Sequence, residues 1–222
     1  MKIKSTPHNS SGKIHIVIGT KAQLIKMAPI MIELQKRHEV YNFIFTGQHK
    51  ETIGELIEVF KLKKPDYTLY KDKDITKISQ MIIWTIRCLI HTFKNKKKIF
   101  QNQKGIVLIH GDASSALLGA IMAKISGLKV GYIEAGLRSF NLFHPFPEEI
   151  IRIFTSRLAD YHFCPGKFAY ENSKKYGGVK INTETNTLYD ILKTTIENQD
   201  SIQVDIPQGK YCVVSIHRFE NI

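Results

Sequence analysis

Three carboxylates stand where apolar runs of this chain end or helical runs begin. They are Asp112 in His110-Gly111-Asp112-Ala113-Ser114-Ser115, Glu134 in Glu134-Ala135-Gly136-Leu137-Arg138-Ser139, and Glu148 in His144-Pro145-Phe146-Pro147-Glu148-Glu149. If they converge on one pocket, neighbouring carboxylates raise one another's pKa. One then holds a proton while another accepts one, which is what removing and returning a proton at carbon requires. Ordinary structural roles compete with this reading. Asp112 has the side chain of a helix N-cap, and Glu148 and Arg152, four apart on one helical run, match a stabilising ion pair. Glu134 is harder to explain as structure, because a buried strand seldom ends in an unpartnered Glu.

Other polar clusters offer cations and backbone amides. Gly19-Thr20-Lys21 follows an apolar run; a small residue at a helix start lets amides approach a phosphate, and Lys21 adds charge. The same Gly also serves a tight turn with no ligand. Arg138 and Arg152 lie close to the carboxylates, and His217-Arg218 follows the last apolar run, where the pair can meet a diphosphate. Gln48 and His49 form a further polar loop of low specificity.

The elements that must position these groups are legible as alternating runs. Ile14 to Ile18, Tyr41 to Phe45, Ile106 to Ile109, Val130 to Ile133, Tyr161 to Cys164 and Tyr211 to Ser215 are short, apolar and β-branched, as buried parallel strands are. Helical patterns lie between them at Ala22 to Arg37, Glu51 to Phe60, Ile75 to Lys97, Ser114 to Ser126, Glu148 to Leu158, Phe168 to Lys175 and Leu188 to Glu197. That rhythm predicts an α/β fold with a Rossmann-like, doubly wound parallel sheet. Ligands of such sheets bind beyond the carboxyl ends of the strands, where the polar clusters fall. Pro29 is expected to break or kink the first helix, and the polar, aperiodic Gly177 to Thr185 reads as an interdomain linker.

Composition narrows the classes. The chain has 222 residues, is 43% hydrophobic and carries a formal charge of +12 with a pI near 9.5. It can bury a core, and its charge suits an anionic partner. Much of that excess is the run Lys94, Lys96, Lys97, Lys98 and Lys104, expected to lie in water. Aromatics do not interleave with the basic residues and no nucleic-acid motif occurs, so nucleic acid is not expected as a partner. Cys88, Cys164 and Cys212 are too widely spaced for a zinc pattern and odd in number, which favours a reducing cytoplasm over a disulfide framework. Met1 to Gly12 lacks an apolar core and is expected to be a flexible leader, and no apolar run is long enough for a membrane span.

Taken in order, the loops resemble the non-hydrolysing UDP-N-acetylglucosamine 2-epimerases. The resemblance runs from about Ile14 to Ile222 and rests on Gly19-Thr20 with Ile25-Lys26-Met27-Ala28-Pro29, Thr46-Gly47-Gln48-His49, His110-Gly111-Asp112, Glu134-Ala135-Gly136-Leu137-Arg138, Pro147-Glu148-Glu149 with Arg152, and His217-Arg218 with Glu220-Asn221. It implies two Rossmann-like domains of the glycosyltransferase-B type, no metal or nicotinamide cofactor, a UDP-sugar substrate and a homodimer through first-domain helices. The implied reaction removes the proton at C2 of the sugar, eliminates UDP to leave a 2-acetamidoglucal, and re-adds UDP with protonation on the opposite face. Asp112, Glu134, Glu148 and His217 are then the catalytic candidates. Gly19, Thr20, Lys21, Arg138, Arg152 and Arg218 would bind substrate, and Gln48 and His49 would line a regulatory substrate site.

This chain has Lys21-Ala22-Gln23 where many relatives read Arg-Pro-Glu, and Thr185-Asn186-Thr187 where they read Gly-Asn-Thr. On this reading 1–12 is a leader, 13–185 the catalytic domain, and 186–222 the start of an incomplete UDP-binding domain. Weak or absent epimerase activity is then expected of the chain by itself. A glycosyltransferase of the same architecture and a non-catalytic fragment are the competing readings.

Overall fold

A computed structural model describes residues 12–48, 53–70, 75, 78–197, 208–212 and 214. Its strands are β1 (Lys13–Ile18), β2 (Tyr41–Phe45), β3 (Tyr67–Thr68), β4 (Gly105–His110), β5 (Lys129–Ile133), β6 (Tyr161–Cys164) and β7 (Val179–Asn182). Between and after them run α1 (Lys21–Lys36), α2 (Ile53–Val59), α3 (Ile78–Ile99), α4 (Ser114–Ile125), α5 (Glu148–Leu158), α6 (Lys167–Ser173) and α7 (Thr187–Glu197). All strands are parallel, in the order β3-β2-β1-β4-β5-β6-β7. The fold is the expected Rossmann-like, doubly wound α/β sheet.

Alternation along the central strands divides the interior into two layers. Val17, Val107, Ile109, Val130 and Tyr132 meet Trp84 and Cys88 of α3, Leu118 and Met122 of α4, and Ala169 of α6. Their sequence neighbours Ile16, Ile18, Leu108 and Ile133 face the other way, toward Leu24, Met27 and Met31 of α1, Ile53 and Ile57 of α2, and Ile191 of α7. Each fully buried aliphatic of this kind contributes about 1.5–3 kcal/mol, so both faces lock the strands whose ends carry the polar loops.

The structure corrects two expectations. Helix α1 runs unbroken from Lys21 through Pro29. A mid-helix Pro costs about 3 kcal/mol, yet Leu24, Met27, Ala28 and Met31 are wholly buried along its inner face, and the helix starts on a capping box between Thr20 and Gln23. Packing and capping outweigh the lost bond. Second, Gly177 to Thr185 contains β7, which pairs with β6 from Val179 to Asn182. This edge strand is mostly exposed, so four residues supply little apolar pattern and its identity comes from backbone pairing to a neighbour distant in sequence. Strand β3 is shorter still. The predicted strand Tyr211 to Ser215 falls partly outside the described residues, and Tyr211, Cys212 and Val214 are irregular. Among the described residues no helix is long and apolar enough to cross a membrane, and no group of three or more His, Cys, Asp or Glu stands together as metal ligands would.

Candidate active site

Strands β4 and β5 are paired neighbours, with His110 opposite Ile133, so their carboxyl ends deliver His110-Gly111-Asp112 and Glu134 side by side. Glu134 leaves the strand at φ +63, a left-handed conformation rare for a side chain of its size and typical of strained functional positions. Two residues on, Gly136 sits at φ +86, and a Cβ there would lie 2.0 Å from the Ala169 carbonyl oxygen. Only Gly lets the chain turn this tightly against α6.

Glu134 is nearly buried and engaged by two groups. Lys26 Nζ of α1 donates to its Oε2 at 2.8 Å and its Oε1 at 3.1 Å. His110 Nε2, itself buried, stands 3.0 Å from Oε2. Burial pushes the Glu134 carboxyl up, and His110 and Lys26 together outweigh it, bringing the pKa down from 4.5 to about 2. Glu134 is therefore a fixed anion at neutral pH. The sequence-based expectation that neighbouring carboxylates raise one another's pKa fails here because a cation is closer than any second carboxylate. Glu134 also opens onto a cavity of about 410 Å³ lined by Ile30, Leu108, Phe163, Thr183 and Asp190.

Asp112 does not cap α4: the N-cap is Ala113, with no side-chain hydrogen bond. Its carboxylate instead accepts from Arg152 Nη2 of α5. Arg152 Nη1 lies 3.6 Å from Glu149 Oε2, and Glu149, fully buried, accepts from Arg138 Nε and, at 3.1 Å, from the Ser139 amide. Arg138 completes the chain by donating to Tyr176 Oη at 3.3 Å. Burial raises the Glu149 carboxyl and the Ser139 amide, Arg138 and Arg152 more than reverse it, so its pKa is lowered. Sequence reasoning missed Glu149, Lys26 and His110 as site residues. A Glu at an inward helical position with an Arg three residues on was the available signal for Glu149. The expected Glu148–Arg152 pair is absent among the described residues; Glu148 has no ion-pair partner there, and its buried Oε2 has no hydrogen bond.

Neighbouring loops are tied by one amide. Gln23 Nε2 donates to the His110 carbonyl at 2.8 Å, while its Oε1 accepts from Gly19 N at 2.9 Å, Thr20 N at 3.2 Å and Ser115 Oγ at 2.7 Å. Thr20 serves as N-cap, its hydroxyl accepting from Gln23 N at 3.3 Å. Gly19 is pressed so close that a Cβ would meet Ser115 Cβ at 2.3 Å and Thr46 Oγ1 at 2.4 Å. Gln48 Oε1 accepts from the Ser115 amide at 3.2 Å, which occupies this regulatory candidate in joining loops. Lys21 is exposed at the start of α1. His49, His217 and Arg218 lie outside the described residues, as do Glu51, Glu220, Asn221 and 1–11 of the leader.

A family model described as UDP-N-acetylglucosamine 2-epimerase matches residues 32–222. The chain belongs to the UDP-N-acetylglucosamine 2-epimerase family. It is similar to the UDP-N-acetylglucosamine 2-epimerase of Bacillus subtilis, with 33% identity over 95% of this chain and 55% of that protein. It is also similar to the putative enzyme of Thermotoga maritima, at 34% identity over 93% of this chain and 55% of that protein. The crystal structure of the Neisseria meningitidis epimerase bound to UDP-GlcNAc superposes with a TM-score of 0.73 at 32% identity, covering 85% of this chain and 50% of that one. The chain thus spans about half the length of the relatives it matches. Likeness to Acinetobacter baumannii MurG, at 12% identity and a TM-score of 0.50, concerns the fold alone. Within the epimerase family frame, the sheet edge holding Asp112, Glu134 and α5 coincides with the loops on which the sequence resemblance rests.

Proposed function

We propose that this chain forms the acid/base half of an enzyme that inverts C2 of UDP-N-acetylglucosamine or a related UDP-2-acetamido sugar. The observation that carries the reading is the unequal commitment of the three carboxylates. Glu134 is held by Lys26 and Asp112 by Arg152, whereas Glu148 has an unpartnered buried oxygen. A carboxylate clamped by a cation is a poor proton carrier but a good fixed charge; an uncommitted one can take and return a proton. Glu148 is accordingly the proton carrier. As it takes the C2 proton, the C2–H electrons form the C1–C2 double bond and the C1–O bond breaks, its pair leaving with UDP. UDP then re-adds at C1 through its phosphate oxygen while a solvent-derived proton reaches C2 from the opposite face, and Glu148 gives its own proton back to water, which yields the manno epimer and resets the carboxylate. Arg152 and Lys26 offset charge along this edge, and His217 and Arg218 are assigned to the departing diphosphate.

The same reading makes 13–185 the first domain and 186–222 the lead into a UDP-binding domain, with α7 resting on α1 through Ile191. It puts the enzyme in the cytoplasm, where UDP-sugars are made. It also pairs two copies through α3, whose Ile82, Ile86, Ile90 and Phe93 form an exposed apolar stripe at helical spacing.

Incubation with UDP-N-acetylglucosamine in deuterated water tests the activity. Deuterium at C2 with appearance of the manno epimer is the expected result. Sugar transfer to an acceptor with no C2 exchange would replace the epimerase reading by a transferase one.

A further inference from the structure

A second cavity, of about 440 Å³, lies between α5 and the turn joining α6 to β7, lined by Arg138, Ile153, Arg157, Lys175, Tyr176 and Gly177. Its lining has three cations and no carboxylate. Arg138 is balanced by Glu149, but Arg157 and Lys175 have no ion-pair partner among the described residues. Each lies over an aromatic ring instead, Arg157 at 5.6 Å from the Phe154 centroid and Lys175 at 5.3 Å from that of Tyr176. Two uncompensated charges beside a third, across a concave wall, attract an anion more strongly than scattered surface lysines do.

The wall is also built. Lys180 Nζ donates to the carbonyls of Tyr176, Gly177 and Gly178, fixing the turn. His162 Nε2 contacts the Gly177 carbonyl at 3.0 Å, and its ring stacks on Tyr176 at 6.2 Å. Tyr176 Oη, in turn, receives Arg138. Lys180 and His162 take no part in holding Asp112 or Glu134, whose cations are Arg152 and Lys26; Arg138 is shared with Glu149.

We propose that this cavity is a second anion site, taking the phosphate or diphosphate group of a small metabolite. Its volume fits such a ligand, and Arg157 and Lys175 are the primary contacts, with Arg138 at the inner end. Arg138 also holds Glu149, and Glu149 approaches Arg152, which holds Asp112. A ligand that draws on Arg138 therefore loosens the clamp on the Asp112 side. The proposal does not depend on the epimerase chemistry.

The test is calorimetric titration of pyrophosphate, and in parallel inorganic phosphate and UDP, at constant ionic strength. Saturable binding is expected to pyrophosphate and to at least one of the other two. In an Arg157→Ala/Lys175→Ala variant with an unchanged circular dichroism spectrum it should weaken at least tenfold, and in a Lys61→Ala/Lys193→Ala control it should not change. Absence of saturable binding, full affinity in the first variant, or an equal loss in the control overturns the proposal. Independently of any variant, pyrophosphate should slow modification of Arg157 by phenylglyoxal on the native chain; equal rates with and without it also overturn the site.

Discussion

Arg152 donates to the carboxylate of Asp112 across a separation of forty residues, and that contact uses a guanidinium which the helix spacing had offered to Glu148. One arginine thereby joins the end of β4 to α5 and leaves Glu148 uncommitted. Lysine keeps the charge but lacks the fork that reaches both Asp112 and Glu149. Arg152→Lys should therefore lower C2 exchange at least tenfold. A cycle of Asp112→Asn and Arg152→Met, read by denaturant unfolding, should show a coupling of about 1–3 kcal/mol. Additive losses would mean that the two residues act separately.

Glu148→Gln and Glu134→Gln should separate chemistry from stability. Replacing the unpartnered Glu148 is expected to cut C2 exchange about 10²–10⁴-fold, the range for a lost acid/base group, with a melting temperature unchanged or raised. Glu134→Gln leaves Lys26 without its counter-charge, so melting temperature and exchange should fall together. Equal thermal losses in the two variants would contradict the assignment.

Acid should unfold the domain in two stages. Burial, then the charge of Lys13, depresses His15 from 6.5 to about 4. The unfolded chain binds that proton more readily, so stability is complete above pH 6.5 and declines as pH falls toward 4, by up to roughly 3 kcal/mol. Glu134, depressed from 4.5 to about 2, stabilises above pH 4.5 and loses its contribution, again roughly 3 kcal/mol, as pH falls toward 2. Denaturation series across pH should lose the first stage in His15→Gln and the second in Glu134→Gln.

Two glycines with similar φ should respond differently to alanine. Gly127, at φ +70 with open space where a Cβ would stand, should cost about 1–2 kcal/mol for the left-handed backbone alone. Gly136 adds the collision with the Ala169 carbonyl, so Gly136→Ala should cost at least about 3 kcal/mol and displace Glu134. Urea unfolding compares them directly.

Charging the α3 stripe tests the dimer. Ile86→Glu with Ile90→Glu should shift the chain to a monomer in light scattering without lowering helix content, because both side chains are already exposed. A chain that is monomeric before substitution removes the dimer proposal.

Strands and helices of the central sheet were readable because buried parallel strands need continuous apolar runs and their helices a periodic inner face; Tyr41 to Phe45 and Glu148 to Leu158 match the elements found. Strands β3 and β7 were not readable, being two and four residues long at the sheet edges, where pairing rather than side-chain pattern defines the strand. Pro29 misled because local propensity was set against burial that no local window contains.

The parallel α/β alternation and the family were legible in the sequence, since they follow from apolar runs and motif order; that Asp112, Glu134 and Glu148 share one pocket was an expectation raised by their places after strands and at a helix start. Which cation holds which carboxylate was decided only by the tertiary structure. Arg152 faces Asp112, Lys26 faces Glu134 and Arg138 faces Glu149, and each partner comes from a different element. Charge pairing falls off within a few ångströms of contact, and such distances exist only after the sheet has brought residues far apart in the chain together.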